Sequence, residues 1–354
     1  MNRRYGCTAL VGALLLSGSA FAQQRSLENP GPCKAYDSPA VQEHINKALA
    51  LSTPDVASPS LIPNLYIITR INGFCQPKSV PDYKINNTVA KPVKMFDQLW
   101  YIGDYFVGVL VLKTSAGLIM WDAMWTEDQA EKIVEPGLRS FGLNPADVKH
   151  IIVTHGHSDH WGGAKRFQDK YGTIVHIGPE DWEVTVRSPT GPGKQTPPKR
   201  DKDVVDGEKL TLGDTTVTLY ISPGHTANSV SAIFPVTDNG VRHVASVFGG
   251  TGIPPFLADD AAKPSKYASV QHYVASVRRL EELGAAAGAD VGISTHPIFD
   301  GTLDKAAVVA NRKTPGPNPW VLGKENLRKY MEIHAETALA VQAMAEAAAA
   351  ANKK

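Results

Sequence analysis

The chain of 354 residues has no surplus of either charge, with 36 Lys and Arg against 35 Asp and Glu and a formal net charge of +1. That balance creates no long-range field to collect nucleic acid or an anionic membrane surface, so neither partner is expected. Long apolar runs are also missing. After residue 22 nothing approaches the roughly 20 apolar residues that span a bilayer, and no membrane anchor is expected. Cysteine is scarce, at Cys7, Cys33 and Cys75, and no internal repeat is visible. With 43% hydrophobic and 20% charged residues, the chain has the composition of an ordinary globular protein of one large or two modest domains.

The opening "MNRRYGCTALVGALLLSGSAFAQQ" has basic residues at Arg3 and Arg4, an apolar stretch from Ala9 to Leu16, and small residues at Ala20 and Ala22. This order predicts a secretory signal peptide over residues 1–22, cleaved after Ala22. The mature protein is then expected in a periplasm or outside the cell. Cys7 lies before the apolar stretch, where a lipid-attachment cysteine would not lie. Cleavage leaves Cys33 and Cys75, which in an oxidising compartment read as a disulfide, with two separate thiols as the alternative. Neither has a catalytic context.

Residues 23–93 form an irregular extension rich in Pro, Ser and Asn, with one helical patch at "PAVQEHINKALAL". From residue 94 the pattern becomes regular. "LWYIG", "FVGVLVLKT" and "GLIMWDA" read as consecutive strands, and "TEDQAEKIVEPGLRSFG" as a helix capped by Thr126. "VKHIIV" is a strand, "WGGAKRFQDKYG" a helix and "TIVHIG" a strand, which together predict an α/β layered domain. Further strands lead to "SPGHT" and "RHVASVFGG". A helix from about Ser265 to Leu283, the strand "DVGISTHP" and an Ala-rich terminal helix complete the chain.

The densest chemistry lies in "THGHSDHWGG", where His155, His157, Asp159 and His160 fall within six residues. An extended chain places residues two apart on one side, so His155 and His157 can point at one ion. Asp159 and His160, where the chain turns into a helix, can serve a neighbouring position. Packing three imidazoles and a carboxylate together without an ion leaves polar groups unpaired. Imidazole and carboxylate without thiolate suit zinc at a catalytic centre. Two more histidines stand at strand ends, His225 in "SPGHT" and His296 in "STHP". They complete two triads: His155, His157 and His225 for one zinc ion, and Asp159, His160 and His296 for a second. His44, His150, His176, His243, His272 and His334 read as ordinary core or surface residues.

With its H-x-H-x-D-H signature at His155, His157, Asp159 and His160, the sequence resembles the metallo-β-lactamase superfamily from about residue 95 to 300. "GLIMWDA", ending near Asp122, and "SPGHTANS" resemble further segments of that family. The resemblance implies a sandwich of two mixed sheets flanked by helices over residues 94–354, and zinc-dependent hydrolysis of a small-molecule substrate. Fold alone does not name the substrate. The strand "HVASVFGGTG" has neither the bridging Asp of thioesterase, lactonase and nuclease relatives nor the Cys of the B1 and B2 lactamases. That pattern resembles the B3 group, which is exported. B3 members commonly carry serines in this loop. Here the closest candidates to hold a substrate carboxylate are Thr251 and the backbone amides of Gly249 and Gly250.

The resemblance implies attack on a β-lactam amide by zinc-bound hydroxide, since zinc lowers the pKa of bound water to about 7. Asp159 is then the catalytic residue that orients the water and passes on its proton. Asp122 is either the carboxylate that orients a ligand imidazole or a turn residue at a strand end. A lactonase or arylesterase with the same metals is the nearest alternative, and a non-catalytic metal-binding protein the more distant one. For exported protein, non-reducing mass spectrometry is expected to fit a chain starting at Gln23 with no free thiol; two free thiols would exclude the Cys33–Cys75 bond.

Overall fold

The computed structural model describes residues 35–52, 87–187, 195–253, 269–312 and 316–351. The expected leader over 1–22, Cys33 and Cys75, and most of the 23–93 extension lie outside the described residues. In β3 (Gly108–Thr114), Leu110 and Leu112 turn to one side and Val109 and Val111 to the other, all buried. β4 (Gly117–Trp121) repeats this, with Ile119 and Trp121 opposite Leu118 and Met120. Strands apolar on both sides must be covered on both sides. The inner side meets β10 (Val230–Asp238) through Ala232, Phe234 and Val236, and Trp121 stacks on Phe234 at 4.5 Å between ring centroids.

β1 (Val93–Phe96) and β2 (Leu99–Gly103) precede β3 and β4, and β5 (Val148–Ile152), β6 (Ile174–Ile177) and β7 (Lys202–Asp203) follow. These seven strands pair in chain order, antiparallel as far as β4 and parallel beyond it. The second sheet has the order β12-β11-β10-β9-β8 and comprises β8 (Lys209–Leu212), β9 (Thr215–Ile221), β10, β11 (Val241–Val247) and β12 (Val291–Ile293). Only its β11 and β12 run parallel.

Helices cover both outer faces. On the first sheet lie α2, composed of Glu127–Gln129, a π-turn over Ala130–Val134 and Glu135–Ser140, then α3 (Ser158–Trp161), α4 (Ala164–Tyr171) and α5 (Asp181–Arg187). On the second lie α1 (Pro39–Leu51), α6 (Val270–Ala287) and α9 (Lys324–Ala351), with α7 (Pro297–Asp300) and the longer α8 (Thr302–Ala310) between α6 and α9. The architecture is the expected sandwich of two mixed sheets flanked by helices.

Three details depart from the sequence expectation. The extension supplies α1, whose Val41, Ile45 and Ala48 are buried against α6 and α9, so part of it belongs to the outer layer of the sandwich. α6 continues past Leu283 because "GAAA" offers no barrier to a helix, and it stops at Gly288, whose φ of 79° suits glycine. Thr126 caps α2 by accepting from the Gln129 amide, but the helix widens to a π-turn directly before Pro136, which has no N–H to give to Lys132.

Glu135 fixes α2 to α4. Its buried carboxylate accepts from Arg139 at 2.8 Å, Arg166 at 2.8 Å and Lys170 at 3.1 Å. Burial opposes its charge, and these cations outweigh burial, lowering its pKa from 4.5 to about 2. A group whose pKa falls on folding stabilises above its unfolded value and loses that contribution as pH drops through the folded one. Urea unfolding is therefore expected to show stability declining from pH 4.5 towards 2, with a flatter decline in Glu135→Gln. Equal slopes in the two proteins would refute this role.

Candidate metal centre

β5 ends at Ile152 and the chain bends through residues 154–157 before α3, so His155 and His157 emerge at the C-terminal edge of the sheet from a bent rather than an extended segment. His157 is the N-cap residue of α3, the single turn that carries Asp159 and His160. His225 comes from the β9–β10 connection, after Gly224 at φ 143°, where a Cβ would run into the Tyr273 backbone. His296 is the N-cap of α7 just beyond β12. All six residues expected as ligands thus meet at one end of the sandwich, contributed by both sheets.

They meet as two triads. His225 Nε2 is 3.1 Å from His155 Nε2 and 3.1 Å from His157 Nδ1. His160 Nε2 is 3.1 Å from His296 Nε2 and 3.3 Å from Asp159 Oδ2, and His296 Nε2 is 3.5 Å from the same oxygen. Ligand atoms around a tetrahedral zinc with bonds near 2.0–2.1 Å are about 3.3 Å apart. His155 also lies within ligand range of Asp159 and His160, and its ring is 3.8 Å from that of His160, so the triads adjoin. We assign His155 to the first triad because its Nε2 faces His225.

Hydrogen bonds at the far side of three of the rings set their tautomers. His155 Nδ1 donates to Gly249 O at 2.9 Å, His296 Nδ1 to Phe106 O at 2.8 Å, and His160 Nδ1 to Asp122 Oδ2 at 2.7 Å. In a neutral ring this leaves the Nε2 lone pair directed into the centre. Lone pairs facing one another at hydrogen-bond distance need a cation between them. The donor set of nitrogens and one carboxylate fits zinc.

Charge supports the same reading. Burial, then like-charged neighbours, hold His155 and His225 well below 6.5, so both stay neutral. Burial opposes protonation of His160 as well, but Asp159 and Asp122 overcome it and raise its pKa to about 10. Burial opposes the charge of Asp159, and His160 and His296 hold its carboxyl below the ordinary range nonetheless. Two buried carboxylates flanking His160 require positive charge there, which a proton or a divalent ion can provide.

Asp122 is both a strand-end residue and a ring-orienting one. It has φ 63°, is wholly buried, and accepts from the Thr154 amide at 2.7 Å and hydroxyl at 3.0 Å besides His160. Backbone strain of this kind persists where surrounding contacts over-determine it. Of the substrate-contact candidates, Gly249 is already engaged through both backbone groups, its N–H donating to Ser231 Oγ at 3.1 Å. Thr251 is buried, with Oγ1 3.4 Å from Ser294 Oγ. A Cβ on Gly250 would lie 2.6 Å from His225 Cβ, and one on Gly249 would fall on Val230 O. The loop therefore packs too closely to carry a bridging carboxylate at either glycine.

Sequence reasoning did not find Phe106, Thr154 or Asp181. Phe106 stands 190 residues before His296, holds it through a carbonyl that any residue has, and packs its ring edge-on at 4.8 Å. Asp181 accepts from the Gly156 amide, and nothing in "GPEDWEV" marks it. His157 and His225 are partly exposed while the other four are buried, so the centre opens on their side.

Residues 102–287 match the family model of the metallo-beta-lactamase superfamily. An uncharacterized protein of Mycobacterium leprae is 32% identical over 143 residues, which cover 34% of this chain and 66% of that one. A hydroxyacylglutathione hydrolase of a Bradyrhizobium species is 29% identical over 99 residues, 28% of this chain and 34% of the relative. The matches thus span less than two thirds of these relatives' length. Among solved structures, a subclass B3 metallo-beta-lactamase of Bradyrhizobium japonicum aligns with a TM-score of 0.60 and 26% identity, covering 70% of this chain and 92% of that one.

Overpacking of a filled site costs about 1–3 kcal/mol. Gly249→Ala is expected to lose stability in that range, read from the urea midpoint. An unchanged midpoint would show that the loop has room for a side chain.

Proposed function

The chain belongs to the metallo-beta-lactamase superfamily and is a hydrolase with a fold close to the subclass B3 enzymes; from that premise we propose that it is an exported dinuclear zinc enzyme that opens β-lactam amides. The observation that carries this reading is the pair of adjoining triads, with ligand atoms 3.1 to 3.5 Å apart. His155, His157 and His225 would hold one ion, and Asp159, His160 and His296 the other. Bound there, the pair supplies Lewis acidity for the scissile carbonyl and a water whose pKa is lowered to about 7.

The remaining work falls to side chains. Asp159 orients the water and, being held ionised, passes the proton on rather than storing it. Asp122, Gly249 O and Phe106 O keep His160, His155 and His296 in the tautomer and orientation that ligation needs. Thr251 and the Gly250 amide are the remaining loop groups for a substrate carboxylate. The subclass B3 neighbour and the absence of Asp and Cys from "VFGGTG" support a lactam substrate.

One observation favours a second reading, a lactone, aryl ester or thioester. The Gly249 amide is committed to Ser231 and the loop has no serine, so the grip on a lactam carboxylate is reduced. The hydroxyacylglutathione hydrolase relative points the same way.

Elemental analysis is expected to give two zinc ions per chain; at most one after zinc supplementation would remove a triad. His225→Ala and His296→Ala should each lower kcat/KM by more than the about 10–100-fold typical of residues that only support a ligand. Penicillin, cephalosporin and carbapenem assays should run beside a lactone, an aryl ester and a glutathione thioester, with and without chelator. Chelator-sensitive turnover of a lactone or ester and of no lactam would transfer the assignment to the second reading.

A further inference from the structure

Asp181 opens α5 and is wholly buried, yet it belongs to neither triad. Its Oδ2 accepts from the Gly156 amide at 2.8 Å and from Thr226 Oγ1 at 2.6 Å, and its Oδ1 accepts from the Asn228 amide at 2.9 Å. Gly156 is the residue between His155 and His157, and Thr226 follows His225. One carboxylate therefore joins the two segments that carry the three histidines of the first triad, segments that leave different sheets.

Its surroundings hold both segments against it. Trp161 Nε1 donates to Gly156 O at 2.8 Å, so both polar groups of the Gly156 residue are engaged. A Cβ on Gly156 would lie 2.7 Å from Val184 Cβ and 2.8 Å from Asp181 O, so α5 rests directly on the 155–157 segment. On the other side Glu180 N donates to Asn228 Oδ1 at 2.8 Å, and a Cβ on Gly178 would fall on Asn228 O. The three hydrogen bonds that the Asp181 carboxylate accepts come from Gly156, Thr226 and Asn228, all beside the first triad, and from none of Asp159, His160 or His296.

We propose that Asp181 is the positioning residue of the three-nitrogen centre, setting the spacing of His155 and His157 against His225. This rests on the reading that those histidines hold a zinc ion. His225 Nε2 stands 3.1 Å from both His155 Nε2 and His157 Nδ1, and without an ion at most one of these two contacts can be a hydrogen bond, so a chain free to relax would separate the rings. A frame that keeps them converged lowers the reorganisation needed for binding, which is the effect of preorganisation on affinity. Asp181 accepts three hydrogen bonds, and its Oδ2 by itself accepts from both segments.

The test measures zinc affinity by competition with a chromophoric chelator, in backgrounds that isolate each centre. In His296→Ala, which keeps the first triad, Asp181→Asn is expected to weaken zinc by about 10–100-fold. In His225→Ala, which keeps the second, the same change should alter affinity by no more than about twofold, as for an independent site. Unchanged affinity at the first centre, or equal loss at both, overturns the proposal. If Asp181→Asn does not fold, Thr226→Val removes one donor and leaves the carboxylate; a smaller loss confined to the first centre supports the proposal, and none overturns it. A His296→Ala parent that binds no zinc would instead overturn the ligand assignment, and this inference with it.

Discussion

Two buried carboxylates, Asp122 and Asp159, face His160 from opposite sides, at 2.7 Å from Nδ1 and 3.3 Å from Nε2. Negative charge taken out of water must be matched, or the fold does not keep it there. A proton on the imidazole between them, or an ion bound to it, supplies that match. Asp122 extends this order into the backbone, because its other oxygen holds the Thr154 amide at the point where the chain leaves β5. The direction in which the chain enters the 155–160 stretch depends on that bond.

The position of the centre follows from the layering. Inner faces of the two sheets interlock through residues such as Trp121 and Phe234, which fixes the distance between β4, the neighbour of β5, and β10. A bond from Val230 N to Thr154 O at 2.7 Å then ties the sheets at the edge where the histidines emerge. The ligands are thus carried on strand ends and short connections, where a rigid core meets solvent. That is where precise placement and access to substrate are both available.

Glycine at positions 249 and 250 serves the same end. The loop runs so close to β10 and His225 that side chains are excluded, and its backbone takes over a role in orienting His155. A loop used in this way has fewer groups left for substrate. Beside the second triad, Phe106 holds His296 through its carbonyl and stacks its ring on Trp125 at 5.7 Å between centroids, so this edge of the centre is built from aromatic side chains.

Much of this was legible in the residues alone. The short β-rich apolar runs "GVLVLKT" and "GLIMW" mark strands in the sequence, and the structure adds that they are covered on both faces, as runs without polar alternation must be. The spacing of His155, His157, Asp159 and His160 names an ion-binding chemistry, since those residue types have no lower-energy reason to crowd together. His225 and His296 carried no such spacing and were identified by position at strand ends and by completing the count. Phe106, Thr154 and Asp181 could not be read at all. Two of them act through a carbonyl or an amide that every sequence offers, and Asp181 acts across 25 to 47 residues of chain on groups that meet only after two sheets have packed. Local composition and period determine which segments form strands and which residues have affinity for metal; only the packing of one sheet on the other decides which ring nitrogen faces inward, because that depends on acceptors brought from distant parts of the chain.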